Sequence, residues 1–300
     1  MVVRRLPSYG YQPIDLIGMS FAAFCVLCLL ISLLIGVHRV PNGPAWLAGC
    51  SAFLLLTYFA RFVPPRGPRV LRFLRDSYVL WALPGAYTAA GIVNRSFTSR
   101  YFDDIVLGWE RALFGGHPHA EFAAHLPYAA LSEFLHFCYY TYLWLMPILG
   151  FYLVFRGRHE QFRMTATTVG LTFYSCFAFF IVFPVLGPWY TFPHVDAPGS
   201  LFIGLVHRTL EHGAAIGTAF PSSHCAVATA VAGSAWRFTE TSFAVAITIV
   251  AAGIVLGTMY GGFHYAIDSV VGVIVGLGFV AVGPRAHRGM MRVGGWRDGE

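Results

Sequence analysis

The sequence predicts an all-α fold: a polytopic membrane helical bundle of about eight transmembrane helices with a six-helix core. Apolar residues make up 57% of the 300 residues and charged residues only 11%, whereas about a quarter of a soluble domain is charged. The apolar residues also fall in blocks close to the roughly 20 residues that a helix needs to cross a bilayer. Both features favour a membrane protein over one or two soluble domains.

Eight apolar blocks follow one another along the chain. They cover residues 14–37, 44–63, 77–93, 133–155, 164–184, 221–236, 242–257 and 264–282. The third block is interrupted by Pro84 and Gly85, and the short blocks near the C-terminus are expected to extend into their flanks. The blocks divide the chain into N-terminal transmembrane helices at 1–93, a main membrane domain at 94–284 and a cytoplasmic tail at 285–300.

The distribution of arginine predicts the orientation of the bundle. All 20 basic residues are arginines, and with eight spans and a cytoplasmic N-terminus all but five fall on the cytoplasmic side. This set is Arg4, Arg5, Arg61, Arg66, Arg69, Arg72, Arg75, Arg156, Arg158, Arg163, Arg237, Arg285, Arg288, Arg292 and Arg297. The opposite side carries Arg39, Arg95, Arg100, Arg111 and Arg208. The asymmetry follows the positive-inside rule and predicts that both termini are cytoplasmic.

The net positive charge therefore needs no nucleic acid partner to explain it. The exclusive use of arginine is typical of a bacterium with GC-rich DNA, so the expected location is a bacterial plasma membrane. The six cysteines lie in or beside apolar blocks without metal-ligand or disulfide spacing, which predicts small apolar packing residues.

Two segments on the outer side, 94–132 and 187–219, are not predicted to span the membrane. In the first, five apolar residues share one helical face: Phe102, Ile105, Val106, Trp109 and Leu113. Its charged residues fall elsewhere on the helix: Asp103, Asp104, Glu110 and Arg111. This pattern predicts a helix lying in the membrane interface.

The segment from Phe220 to His224 reads Phe-Pro-Ser-Ser-His and precedes an apolar run. A proline followed by small hydroxyl residues predicts the start of a helix. Free backbone N–H groups at that start, with the hydroxyls of Ser222 and Ser223, would form a phosphate cradle. His224 would then lie in the first helical turn and face the bound phosphate.

A second candidate pair is His264 and Asp268, whose spacing of four puts both on one face of a helix. A carboxylate there can hold one imidazole nitrogen so that the other nitrogen is free to attack. In the alternative interpretation the pair only stabilises a helix end, and Ser222 with Ser223 only caps a helix. Because polar residues at a membrane boundary are costly and both segments lie on the outer side, a shared site is favoured. The spacing alone does not decide which histidine attacks.

These two segments, Pro-Ser-Ser-His at 221–224 and His-x-x-x-Asp at 264–268, resemble the second and third motifs of the type 2 phosphatidic acid phosphatase superfamily. The resemblance implies that the domain at 94–284 is catalytic. It also implies that His264 is the nucleophile, Asp268 orients it and His224 is the general acid. No metal or other cofactor is implied.

Two departures from the superfamily pattern point to one of its branches. The first superfamily motif begins with lysine, which this chain lacks, and Thr258 stands where the third motif usually has an arginine. Both departures, with Thr-Met-Tyr at 258–260 and Pro-Trp-Tyr at 188–190, resemble inositol phosphorylceramide synthases. This resemblance covers residues 103–276 and implies substrate contacts by three aromatic residues: Trp189, Tyr190 and Tyr260.

Candidate residues outside the motifs are fewer. A transferred phosphate needs positive charge, for which Arg208 and then Arg111 are the candidates. For both arginines an anchor at the membrane interface is the alternative. His136, Tyr139 and Tyr142 form one face of the fourth span and are expected to be structural.

Three functions remain open at this point. The favoured one is a phosphotransferase that moves a phosphoryl head group, phosphoinositol-like, from a phospholipid donor to a lipid or alcohol acceptor. The second is a phosphatase acting on lipid phosphates or polyprenyl (pyro)phosphates, with water as the acceptor. The third is a lipid carrier or scaffold without catalysis, which the intact set of His224, His264 and Asp268 argues against.

Overall fold

The computed structural model describes residues 9–35, 40–64, 68–194, 198–199 and 201–295. Both chain ends lie outside the described residues, as do five of the arginines on which the predicted orientation rests: Arg4, Arg5, Arg39, Arg66 and Arg297.

Helices account for almost all of the regular structure in the described part of the chain, which confirms the all-α prediction. They are α1 Pro13–Ile35, α2 Gly43–Ala60, α3 Arg69–Trp81, α4 Leu83–Val93, α5 Asp103–Phe114, α6 Pro118–His125, α7 Ala129–Phe155, α8 His159–Val182, α9 Pro188–Thr191, α10 Leu201–Gly213, α11 Ser223–Phe238, α12 Thr241–Tyr260 and α13 Ala266–Gly294. Two isolated β-bridges are also present, one of which joins Val185 to Thr218.

Six of the described helices are long and apolar enough to cross a bilayer: α1, α2, α7, α8, α12 and α13. They fit an integral membrane protein. The predicted block at 77–93 is divided between α3 and α4 at Ala82, beside Pro84 in the first turn of α4. The block at 221–236 forms α11, which has only 16 residues. The predicted total of about eight thus corresponds to six long spans and two shorter apolar elements.

The short helix α11 lies in the centre of the bundle, where it contacts α7, α8, α12 and α13. Its residues are mostly alanine, valine, glycine and serine, and small side chains let helix backbones approach closely. On the facing helix α13, a Cβ at Gly272 would collide with the carbonyl oxygen of Ser222, and one at Gly276 with that of Ala226. These glycines bring the start of α13 against the start of α11, and with it the two motifs.

The N-terminal helices pack directly on this core, with α1 against α8 and α13 and α4 against α8. A buried ion pair joins α1 to α3: Asp15 Oδ2 lies 2.6 Å from Arg75 Nη2. Tyr78 donates a further hydrogen bond of 2.9 Å to Asp15 Oδ1. The contact fixes α3, and through it α4, against α8.

Candidate active site

The two motif histidines meet at the junction of α11 with the loop between α12 and α13. His264 Nε2 lies 3.3 Å from His224 Nδ1, although the residues are 40 positions apart in the chain. His264 is 5% exposed. The structure therefore brings together the two residues on which the predicted chemistry depends.

Backbone hydrogen bonds to one residue fix the loop that carries His264. The carbonyl oxygen of Thr258 accepts from the N–H groups of Phe263 at 2.9 Å and His264 at 3.0 Å. The turn is completed by Gly262, whose φ of 66° suits a residue without a side chain. The Thr258 hydroxyl donates to Val255 O and lies 2.9 Å from Ser269 Oγ. Thr258 thus holds the end of α12, the loop and α13 together at the position where the superfamily usually has an arginine.

Asp268 lies behind His264, but it reaches the imidazole in a different way from the predicted one. His264 precedes α13, so the two do not share a helical face; instead Asp268 is the third residue of α13 and turns back over its start. Asp268 Oδ2 accepts the N–H of Tyr265 at 3.0 Å and lies 3.5 Å from His264 Nδ1. That last separation is longer than a hydrogen bond. Such contacts shorten in many enzymes when substrate binds.

The protonation of His264 suits a nucleophile. Burial lowers the pKa of His264 to about 4, so the imidazole is neutral at pH 7. With its proton on Nδ1, towards Asp268, the Nε2 lone pair faces His224.

The two serines of the first motif have separate positions. Ser222 is fully buried, and its Oγ caps α11 by accepting the N–H of Cys225 at 3.3 Å. Its own N–H donates to the carbonyl oxygen of Asp268 at 3.1 Å, which ties the two motifs together. Ser223 lines a large cavity beside His224. The cap function considered as the alternative is therefore present at Ser222.

Tyr139 and Tyr142 were expected to have a structural role, but both contact His224, the candidate general acid. The Tyr139 ring stacks on His224 with centroids 5.0 Å apart, and its hydroxyl lies 3.4 Å from Nε2. The Tyr142 ring is 4.3 Å from the same imidazole. His136, the third member of that face, bonds instead to the carbonyl oxygen of Ser132. The sequence signal for the two tyrosine contacts was the i, i+3 spacing of Tyr139 and Tyr142 on α7, the helix opposite α11.

A small cavity of ≈ 50 Å³ lies over both histidines. Trp189 and Tyr190 line it, together with Phe263 from the loop of His264, and their contact with substrate stays a prediction. Tyr190 is 44% exposed, so this wall reaches the protein surface. Tyr260 lies elsewhere: its hydroxyl donates to Leu126 O and its ring packs on Phe122. A substrate contact by Tyr260 stays a prediction.

Neither predicted arginine lines this cavity. Arg111 and Arg208 are both exposed, on α5 and α10, and among the described residues no arginine lines either this cavity or the large one. A fixed positive potential is present at the N-terminus of α11, where backbone N–H groups and the helix dipole favour an anion.

Glu110 is a site residue that the sequence analysis missed. It was expected on the polar face of an interfacial helix, yet its side chain is fully buried. Its Oε1 accepts the N–H of Ala266 at 2.7 Å, and both carboxylate oxygens face imidazole Nδ1 atoms, of His117 at 2.9 Å and His119 at 3.1 Å. Burial alone would raise the pKa of Glu110, but these hydrogen bonds outweigh it and lower the pKa. The signal in the sequence was a glutamate one turn after Val106, the other buried residue of α5.

Glu110, His117 and His119 are also the described group that could hold a metal ion. One ligand atom from each lies within 4.8 Å of the others. Asp103, at the start of α5, makes a parallel connection: it accepts the N–H groups of Leu186 and Gly187 and the hydroxyl of Tyr265. Two carboxylates of α5 thus hold the loops on either side of the histidine pair.

The part of the chain from α5 to α13, which carries the site residues described above, matches a known protein family. The family described as the PAP2 superfamily matches residues 104–282. The chain belongs to the PAP2 superfamily. The match confirms the superfamily predicted from the two motifs and supports a phosphatase or phosphotransferase type of enzyme acting on lipid phosphates. It leaves α1 to α4 outside the PAP2 region, and no curated protein and no solved structure matches the chain.

Proposed function

We propose that the protein is a membrane phosphotransferase that moves a phosphoryl head group, phosphoinositol-like, from a phospholipid to a hydroxyl of a lipid or alcohol. The observation that carries the proposal is the contact of His264 Nε2 with His224 Nδ1 at 3.3 Å. A nucleophile and an acid–base group within reach of one another, with a carboxylate behind the nucleophile, suit two-step covalent catalysis.

In the first step a phosphate enters between the histidines and replaces their direct contact. The lone pair of His264 Nε2 forms a bond to phosphorus as the ester P–O bond breaks. His224, which takes up a proton together with the anionic phosphate, gives that proton to the leaving lipid oxygen. Asp268, beside His264 Nδ1, stabilises the positive charge on the phosphorylated imidazole.

In the second step an acceptor hydroxyl gives its proton to His224 while its oxygen attacks phosphorus. The P–N bond breaks, and His264 returns to its starting form with the new phosphodiester released. The proposal assigns no step to a metal ion. It also sets the site on the outer face of a bacterial plasma membrane, with both termini in the cytoplasm.

Transfer is preferred to hydrolysis because of Thr258 and the missing lysine. Both departures resemble inositol phosphorylceramide synthases. In the structure Thr258 takes a buried place in which its carbonyl oxygen accepts from the loop of His264 and its hydroxyl lies against Ser269 of α13. The second candidate is a lipid phosphate or polyprenyl (pyro)phosphate phosphatase. The small cavity, which Tyr190 connects to the surface, favours it because water can reach the histidines there.

The test is incubation of the purified protein with phospholipid radiolabelled in the phosphoryl head group, with and without added alcohols. A labelled new lipid that requires the added alcohol supports transfer. Release of water-soluble label alone, as head-group phosphate or free phosphate, contradicts transfer and supports hydrolysis. The labelled protein formed on the way is expected to be acid-labile and base-stable, and to be absent in His264→Ala. The exposed His125→Ala serves as the control for loss of a histidine.

A further inference from the structure

A large apolar cavity begins at His224 and runs along α7 toward the C-terminal end of that helix. Its volume is ≈ 460 Å³, within the roughly 300–1,000 Å³ typical of ligand pockets. Its wall on α7 extends from Tyr139 to Phe151, about 18 Å at 1.5 Å per helical residue. The other walls come from α3, α4, α8, α10 and the first turns of α11.

The lining of this cavity suits hydrocarbon. No charged side chain of the described residues lines it, and most of the lining residues are apolar. Seven of the 26 carry a hydroxyl group, and four of these seven are tyrosines. Phe73 closes the far end by stacking on Phe151 and Phe162, with ring centroids 5.5 and 6.1 Å away. Trp81 and Leu143 are more than half exposed, so the side of the cavity opens toward the surrounding apolar phase.

The two histidines differ in their relation to this cavity. His224 lines both the large cavity and the small one, whereas His264 lines only the small one. In the proposed function the phosphorus is bonded to His264, and the oxygen that leaves it is protonated by His224. The leaving oxygen and the hydrocarbon attached to it therefore belong on the His224 side.

We infer that the large cavity binds the hydrocarbon chain of the lipid alcohol whose oxygen exchanges a proton with His224. This inference rests on the proposed function for the role of His224. In hydrolysis the cavity holds the departing alcohol; in transfer to a lipid, the acceptor alcohol takes the same place in the second step. Much of the wall of the large cavity is formed by α3 and α4, through residues such as Leu80 and Tyr87. Both helices precede residues 104–282, which match the PAP2 superfamily.

The inference is tested with substitutions that fill the large cavity at a distance from the histidines. Met146→Trp adds bulk to the middle of the α7 wall, and Leu80→Trp adds it from the opposite wall on α3. The matched control is Ile148→Trp, also on α7, where the side chain is 42% exposed and does not line the cavity. Binding of dioleoyl and dihexanoyl phosphatidic acid to delipidated protein is measured by native mass spectrometry, and kcat/KM is measured on the same two lipids.

The expected result is a fall of about tenfold or more in the preference for oleoyl over hexanoyl chains in Met146→Trp. Leu80→Trp is expected to act in the same direction, and Ile148→Trp to keep the wild-type preference. The inference is overturned if both cavity variants keep the wild-type preference, or if Ile148→Trp lowers it equally. If one cavity variant does not fold, the other decides.

Failure of this inference is distinguishable from failure of the proposed function. The binding measurement is repeated in His264→Ala, in which no turnover is expected. If the wild type turns over no lipid phosphate but chain preference still falls in Met146→Trp, the proposed function fails and the cavity assignment stands. If turnover is normal and chain preference is unaltered, only the cavity assignment fails.

Discussion

The carboxylate of Glu110 accepts the backbone N–H of Ala266 at 2.7 Å, two residues after the proposed nucleophile. A buried charge at this place stabilises the start of α13, where backbone N–H groups lack helical partners. The same carboxylate faces His117 and His119, so α5 and α6 are tied to the catalytic loop through one side chain.

Glu110→Gln is expected to lower the free energy of unfolding by about 1.5–3 kcal/mol, as loss of hydrogen bonds to a charged group does. Because the pKa of Glu110 is lowered in the folded protein, this stabilisation is present above the unfolded pKa of about 4.3. It is lost as pH falls through the lower, folded value. Unfolding measured between neutral and acid pH should show the gap between wild type and variant closing in acid. Asp104→Asn, 62% exposed, is the control; an equal effect there would contradict the prediction.

His224→Ala is expected to discriminate between leaving groups. A general acid contributes about 10²–10⁴-fold when the leaving oxygen is a poor leaving group. Loss of kcat/KM in that range is expected with a lipid alcohol as leaving group, and much smaller loss with a p-nitrophenyl phosphodiester, whose phenolate leaves without a proton. Equal losses on both substrates would show that His224 does not act as the acid.

Thr258→Arg restores the residue type usual in the superfamily, but the position has no room for it. Thr258 is fully buried and its hydroxyl lies within 2.9 Å of Ser269 Oγ. An unpaired buried charge costs about 3–5 kcal/mol, so the variant is expected to unfold at lower temperature and to gain no phosphatase activity. Thr258→Ser keeps the hydroxyl and should lose only about 1 kcal/mol through its methyl group. A stable Thr258→Arg protein that releases phosphate faster than wild type would contradict the structural role of Thr258.

Asp15→Asn tests how firmly α1 holds α3. The carboxylate is fully buried between Arg75 and Tyr78, and breaking a buried pair by removing one charge costs about 3–5 kcal/mol. Glu240→Gln, which removes a half-exposed partner of Arg158, is expected to cost no more than about 1 kcal/mol. Similar thermal unfolding of the two variants would contradict the prediction.

Chelation is expected to leave activity unchanged. Both oxygens of Glu110 already face partners, Ala266 N–H, His117 and His119, so the cluster can serve as a hydrogen-bonded brace. Metal analysis of the purified protein checks this directly. About one ion per chain, lost in a His117→Ala and His119→Ala double variant, would instead make the cluster a metal centre.

The long spans and the two histidine motifs were recognisable because both depend on local sequence. Apolar blocks of sufficient length define α1, α7 and α8, and short motifs carry His224 and His264. The break between α3 and α4 was visible as Pro84 and Gly85, but its outcome depends on packing against α8. The helix α11 is shorter than the length needed to cross a bilayer, and this is possible because other helices of the protein surround it.

Contacts between distant segments were not predictable in this way. Glu110 was assigned to a polar face because helical periodicity describes one helix and not what packs against it. The contact of Asp268 with His264 depends on the start of α13 at Ala266, two residues later than a continuous helix would require. Tyr139 was expected to be structural because only the crossing of α7 with α11 brings it to His224.

The wall that α3 and α4 give to the large cavity lies upstream of the residues that handle phosphorus. Substitutions between residues 69 and 93 can therefore retune which lipid is chosen while the histidine chemistry is inherited unaltered. Under the cavity assignment inferred above, selectivity and reactivity become separable traits, open to independent drift in evolution and to exchange of the N-terminal segment between relatives in the laboratory.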